Sequence, residues 1–129
     1  MRGALPTGLV AEDYEGLRYA MVSHLRLLGY QVIEAVDGLD ALHKARNHPG
    51  SIEILVTDLM MPNVSGIELI ERVRANAQMA HVPIIAMTAY SSGPADEARK
   101  AGADAVLKKP VSFEMMSSAI NNALNPSAG

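Results

Sequence analysis

Cysteine is missing from the 129 residues, which excludes thiolate catalysis, cysteine-bound zinc and iron–sulfur clusters without fixing the compartment. Aromatic residues make up only 4% of the chain. The longest apolar runs, such as Ile84 to Met87, are strand-sized and fall well short of the ~18 residues that a membrane helix needs, so the chain reads as soluble. Basic residues nowhere cluster beyond Lys108-Lys109, and 11 Lys and Arg against 14 Asp and Glu leave a net charge of -3. That balance argues against direct nucleic-acid contact and against an anionic membrane surface. No P-loop and no G-x-G-x-x-G motif is present to cradle a nucleotide. His24, His43, His48 and His81 lack metal-ligand spacing and read as ordinary surface or half-buried residues. Met1-Arg2 ahead of Gly3 to Ala11 imitates a signal peptide only faintly, because Pro6, Thr7 and Gly8 interrupt the run and Glu12-Asp13 follow at once.

What is present is a chain 49% apolar and long enough to form one domain that hides roughly two-thirds of its unfolded surface. The domain is expected over residues 8–124, between an N-terminal tail at 1–7 and a C-terminal tail at 125–129. Apolar runs recur at Gly8 to Ala11, Gln31 to Ala35, Ile54 to Thr57, Pro83 to Met87 and Ala105 to Leu107, with helical periodicity between them. Continuous rather than alternating apolar runs point to strands covered on both faces, hence to a parallel α/β sheet. The run with Gln31 and Glu34 is the most polar and belongs at an edge. Leu17, Met21, Leu25 and Leu28 mark the inner face of the first helix, with Gly29 as its left-handed end. Asp37 caps the second helix, which turns Leu42 and Ala45 inward, and Ser65 with Glu68 opens the third over Ile67, Ile70 and Val73. The fourth, from about Ser92 to Ala101, has only Ala95, Ala98 and Ala101 to anchor it, and is expected to be the weakest-held element. Phe113, Met116, Ile120 and Leu124 mark the inner face of the last. Met60-Met61 and Met115-Met116 read as packing and partner surface.

The polar residues fall at one place relative to the strands. Glu12 and Asp13 follow the first, Asp58 ends the third, Thr88 the fourth, and Lys108 and Lys109 the fifth. Carboxyl ends of parallel strands share one edge, where ligands bind in open α/β sheets. Three carboxylates meeting there would repel one another unless a cation joined them, and Mg2+, which takes one or two carboxylates plus phosphate oxygens and water, suits an open cluster. Lys109 alone does not neutralise three acids but is suited to pair with an added phosphoryl group.

With these residues the sequence resembles the receiver domains of two-component response regulators. The resemblance rests on Glu12-Asp13, Asp58-Leu59-Met60-Met61-Pro62 with Gly66, Thr88-Ala89 and Lys109-Pro110, and spans Gly8 to Leu124. It implies a flavodoxin-like (βα)5 fold, with a five-stranded parallel sheet of order 2-1-3-4-5 and helices on both faces. It also implies a cytoplasmic signalling module rather than a turnover enzyme. Asp58 would take a phosphoryl group from a sensor histidine kinase or histidine phosphotransfer protein. Asp13, Asp58 and the Met60 backbone carbonyl would ligate Mg2+, with Glu12 acting directly or through water. Thr88 and Lys109 would hold phosphoryl oxygens, Ala89 would leave them room, and the Lys109-Pro110 peptide would be cis. The result would be altered binding to a downstream protein or output domain.

Two positions depart from the family pattern. Glu12 stands where Asp is more frequent, and Val106 stands where many receivers carry the Tyr or Phe that turns inward with the threonine. Val106 therefore motivates an alternative, a pseudo-receiver that binds partners regardless of phosphate. A flavin protein or hydrolase on the same fold fits less well: the Ala11 to Gly16 turn is not a Ser/Thr/Gly-rich phosphate loop, and Asp58 has no second acid two residues on. Two further expectations concern surfaces. Tyr14, Glu15, Arg18 and Val22 are expected to dock the phosphodonor, since Tyr14, Arg18 and Val22 share a four-residue spacing off the core face. The switch is expected to run through Thr88, the loop Ala89 to Gly93 and the fourth helix rather than through residue 106.

Overall fold

The computed structural model describes residues 5–90 and 92–125, so the outer parts of both expected tails and position 91 in the switch loop lie outside the described residues. The strands are β1 (Thr7–Ala11), β2 (Gln31–Ala35), β3 (Ile54–Asp58), β4 (Ile84–Thr88) and β5 (Ala105–Lys108). The helices between and after them are α1 (Glu15–Leu27), α2 (Gly38–Asn47), α3 (Gly66–Ala75), α4 (Pro94–Ala101) and α5 (Phe113–Leu124). All strand pairs are parallel, in the order β2-β1-β3-β4-β5. Every residue of β1, β3 and β4 is buried, while β2 and β5 are the partly exposed edges. Among the described residues no helix is long and apolar enough to cross a membrane.

Side chains alternate across each central strand and so split the core in two. Leu9, Leu55 and Ile84 join Leu69, Ile70 and Val73 of α3 and Ala98 of α4 on one face. Val10, Val56 and Ile85 join Met21, Val22 and Leu25 of α1 and Met116 and Ile120 of α5 on the other. The caps follow the sequence closely: Asp37 accepts from the Asp40 N–H and Ser65 from the Glu68 N–H, and Gly29 has φ of 98°. One glycine sets the distance between a helix and the sheet edge. A Cβ on Gly66 would lie 2.1 Å from the Asp58 carbonyl oxygen, so only glycine lets α3 start against the end of β3.

Three expectations are corrected. Val22 is not a surface residue: it is 2% exposed and packs between α1, α5 and the sheet, which leaves no docking role for it. Helix α1 lies across both, so its buried stripe is wider than one residue per turn and takes in the neighbours Met21 and Val22, while Leu17 at the first turn is only half-buried. Leu124, at the last turn of α5, is 51% exposed. Helix α4 begins at Pro94 rather than Ser92, because Gly93 adopts φ of 66° and cannot continue a helix backwards.

Candidate functional site

The carboxyl ends of β1, β3, β4 and β5 converge as the topology requires. Glu12 leaves β1 with its N–H bonded to the Ala35 carbonyl of β2 (3.0 Å), and Leu59 leaves β3 bonded to the Met87 carbonyl of β4 (3.0 Å). Lys109 leaves β5 bonded to the Thr88 carbonyl (2.8 Å), and the Lys109-Pro110 peptide that follows is cis. Ladder bonds thus carry on one residue past the strands and set the origin of each functional side chain.

Carboxylate oxygens of Glu12, Asp13 and Asp58 lie within 4.8 Å of one another. Glu12 and Asp58 are buried and Asp13 is exposed, so the cluster has two internal acids and one at the mouth. One cation answers them: Lys109 Nζ lies 3.0 Å from Asp58 Oδ1 and 3.5 Å from Glu12 Oε1. Glu12 Oε2 accepts the Tyr14 N–H at 3.0 Å, but among the described residues Oε1 has no hydrogen-bond partner and its only close cation is the lysine at ion-pair distance. Burial pushes the Glu12 carboxyl up to about 7, aided by the charge on Asp58 and opposed by the Tyr14 N–H and Lys109. Burial also works against the charge on Lys109, but Asp58 and then Glu12 outweigh it and raise the ammonium above its ordinary value.

Thr88 is buried, and its Oγ1 accepts the Tyr90 N–H at 3.1 Å, which leaves the hydroxyl proton available to another acceptor. Ala89 is exposed beside it, and so is Met60 in the loop after β3. Asn63, at φ of 67°, shapes that loop and donates to Asp37 Oδ2 at 2.7 Å, tying it to the start of α2. Val106, in the edge strand, is partly buried against the core beneath α3 and α4.

The expected docking stripe on α1 divides. Tyr14 is 66% exposed and Glu15 is exposed, whereas Arg18 turns back onto the site. Its Nη1 donates to the Glu12 carbonyl at 3.0 Å and its Nε pairs with Glu34 Oε1 at 3.2 Å, so it braces the acidic turn after β1. Sequence reasoning missed that role. Its only trace was one arginine six residues after Glu12, with an acid one residue before the end of the neighbouring strand.

The response regulator receiver domain family matches residues 9–121. Among curated proteins, a cyclic di-GMP phosphodiesterase of Thermotoga maritima is 34% identical over 119 residues, which is 92% of this chain but 31% of that protein, so the chain spans less than a third of that relative. The polar-differentiation response regulator DivK of Brucella ovis is 30% identical over 105 residues, covering 81% of this chain and 84% of DivK. Among solved structures, the Vibrio cholerae chemotaxis protein CheY4 superposes with a TM-score of 0.84 at 28% identity, covering 93% of this chain and 99% of that one. A response regulator receiver domain protein from Clostridium thermocellum gives 0.82 at 29% identity over 96% and 98%.

Proposed function

The chain belongs to the response regulator receiver domain family, and from that premise we propose that Asp58 accepts a phosphoryl group from a phosphohistidine in a Mg2+-dependent reaction, altering how the chain binds another protein. The observation that carries this reading is the surplus of acid: three carboxylates within 4.8 Å, two of them buried, and, among the described residues, one lysine beside them and a buried Glu12 oxygen without a hydrogen-bond partner. Hard oxygen donors of this number fit Mg2+. Asp13, Asp58 and the Met60 backbone carbonyl would hold it, with Glu12 direct or through water. The ion would supply positive charge against the acids and the incoming phosphoryl oxygens.

The chain's own residues then position the transfer. An Asp58 carboxylate oxygen bonds to phosphorus as the phosphorus–nitrogen bond breaks, and the electron pair returns to the imidazole. Lys109, already beside Asp58, pairs with a phosphoryl oxygen as a point charge, and the Thr88 hydroxyl donates to another. Ala89 leaves that space open. The donor is a sensor histidine kinase or histidine phosphotransfer protein, met by Tyr14 and Glu15 at the mouth of the site. The module spans residues 8–124, acts in the cytoplasm, and hands its state to a downstream protein or output domain.

The test is intact mass after incubation with acetyl phosphate. One phosphoryl group is expected with Mg2+ and none with excess chelator or in Asp58→Asn. Labelling that survives in Asp58→Asn would refute the assignment of the acceptor.

A further inference from the structure

Helix α4 fully buries only the alanine methyls of Ala95 and Ala98, with Pro94 and Ala101 buried in part, so its side chains hold it weakly. Its two ends are held very differently. At the N-terminal end the cap is Gly93, at φ of 66°, which has no side chain to bond the first N–H groups, and among the described residues a Cβ placed there would meet nothing within 4 Å. Beside this end a groove of about 430 Å³ separates Pro94 and Glu97 from Leu59, Met61, Pro62 and Ile67, so there is room for the helix to move. The same end continues directly from the Thr88 loop.

At the C-terminal end Gly102, at φ of 125°, closes the helix with Ala103 N–H on the Ala98 carbonyl (2.9 Å) and Gly102 N–H on Arg99 (3.1 Å). Onto this turn folds Arg74, from the last turn of α3. Its Nε and Nη2 both donate to the Gly102 carbonyl, at 3.0 and 2.8 Å, and Nη2 also reaches Asp104 Oδ2 at 3.0 Å. Nη1 donates to the carbonyls of Ala80 (3.0 Å) and Val82 (2.6 Å) just before β4. Asp104 Oδ2 in turn accepts the Ile84 N–H at 2.8 Å, and the Asp104 N–H returns to the Ile84 carbonyl at 2.8 Å. A Cβ on Gly102 would lie 2.8 Å from Arg74 Cγ, so the stem of the arginine is packed against this turn as closely as its head is bonded.

We infer that Arg74 is a positioning residue that clasps the C-terminal end of α4, so that the helix answers events at Asp58 by pivoting about Gly102 instead of shifting as a whole. The inference rests on the phosphoacceptor reading above. A helix with weak lateral contacts, one end bonded to a rigid guanidinium fork and the other beside empty space, has rotation about the bonded end as its least costly displacement. A lysine would keep the charge but lose the fork that bonds Gly102, Asp104 and the loop before β4 together.

The experiment is 1H–15N NMR of the whole chain with Mg2+ and beryllofluoride, with bound fluorine read separately by 19F resonances. With fluoride bound, amide shifts should be large over Gly93 to Glu97, decline along the helix, and vanish at Gly102 to Asp104. In Arg74→Lys the same fluorine resonances should persist while Gly102 to Asp104 now shift too. Equal shifts at both ends of α4 in the wild type, or an unchanged pattern in Arg74→Lys, would overturn the pivot. Absence of bound fluorine would count against the phosphoacceptor reading instead, and hydrogen exchange of the unliganded chain then decides the clasp. Slower exchange at Gly102 and Ala103 than at Glu97 and Ala98, lost in Arg74→Lys with β1 and β3 unaffected, supports it. Equal exchange at the two ends overturns it.

Discussion

Two clusters of charge, each with a buried or half-buried part, lie at opposite ends of the sheet, and they are balanced in opposite ways. Around Arg74, at the amino ends of β4 and β5, the guanidinium bonds four oxygens of the chain, and its partner Asp104 also takes a backbone N–H. Around Asp58, at the carboxyl ends, among the described residues three acids share one lysine and a buried oxygen of Glu12 has no hydrogen bond. Polar groups taken out of water stabilise a fold when every partner is present and destabilise it when one is missing. The first cluster is therefore part of what holds the molecule together, and the second is a place where stability is given up, as the proposed entry of a cation and a phosphoryl group requires.

The largest expected effect comes from breaking the complete cluster. Arg74→Ala strands the Gly102, Ala80 and Val82 carbonyls and should lower stability in urea unfolding by about 2 to 3 kcal/mol. The incomplete cluster should respond with the opposite sign. Glu12→Gln removes a carboxylate that the fold holds at a raised pKa, and in metal-free buffer at pH 8 it should raise stability by about 1 kcal/mol while weakening Mg2+ binding. The pH dependence sharpens this. Because the folded Glu12 keeps its proton up to about 7 while the unfolded one loses it near 4.5, the native state binds more protons in that window. Stability of the metal-free wild type should accordingly gain a falling contribution from about pH 4.5 to about 7 that is absent from Glu12→Gln, and Mg2+ should bind more tightly as pH rises through 7. The smallest effect is expected two residues from the largest: among the described residues Arg72 makes only an exposed pair with Glu68 on its own helix, so Arg72→Ala should change stability by no more than about 0.5 kcal/mol. A loss at Arg72 equal to that at Arg74 would erase the distinction between the clusters.

Much of the incomplete cluster was legible in the sequence and almost nothing of the complete one. Continuous apolar runs located the central strands because β1, β3 and β4 are covered on both faces, and the polar run with Gln31 and Glu34 located an edge. Strand ends then placed Glu12, Asp13, Asp58, Thr88 and Lys109 together, since chain direction alone brings parallel carboxyl ends to one side. Arg74 gave no such signal. Three of its acceptors are backbone carbonyls of Ala80, Val82 and Gly102, which any residue supplies, and basic residues in a last helical turn are ordinary. Arg18 and Val22 were misread for a related reason. Spacing says which residues share a stripe on α1, but the width of the buried stripe depends on α5, and the reach of a long side chain depends on where Glu12 and Glu34 come to rest.

The most direct measurement is a Mg2+ titration of the whole chain followed at backbone amides of both clusters. Saturable shifts at Glu12 to Tyr14 and at Asp58 to Met60, with Gly102 to Asp104 unmoved, are expected, because three carboxylates meet in the carboxyl-end cluster whereas Asp104 is a single carboxylate already paired with Arg74. No saturable change at millimolar Mg2+, or equal change in the two clusters, would contradict the conclusion that the acids around Asp58 are arranged for a cation.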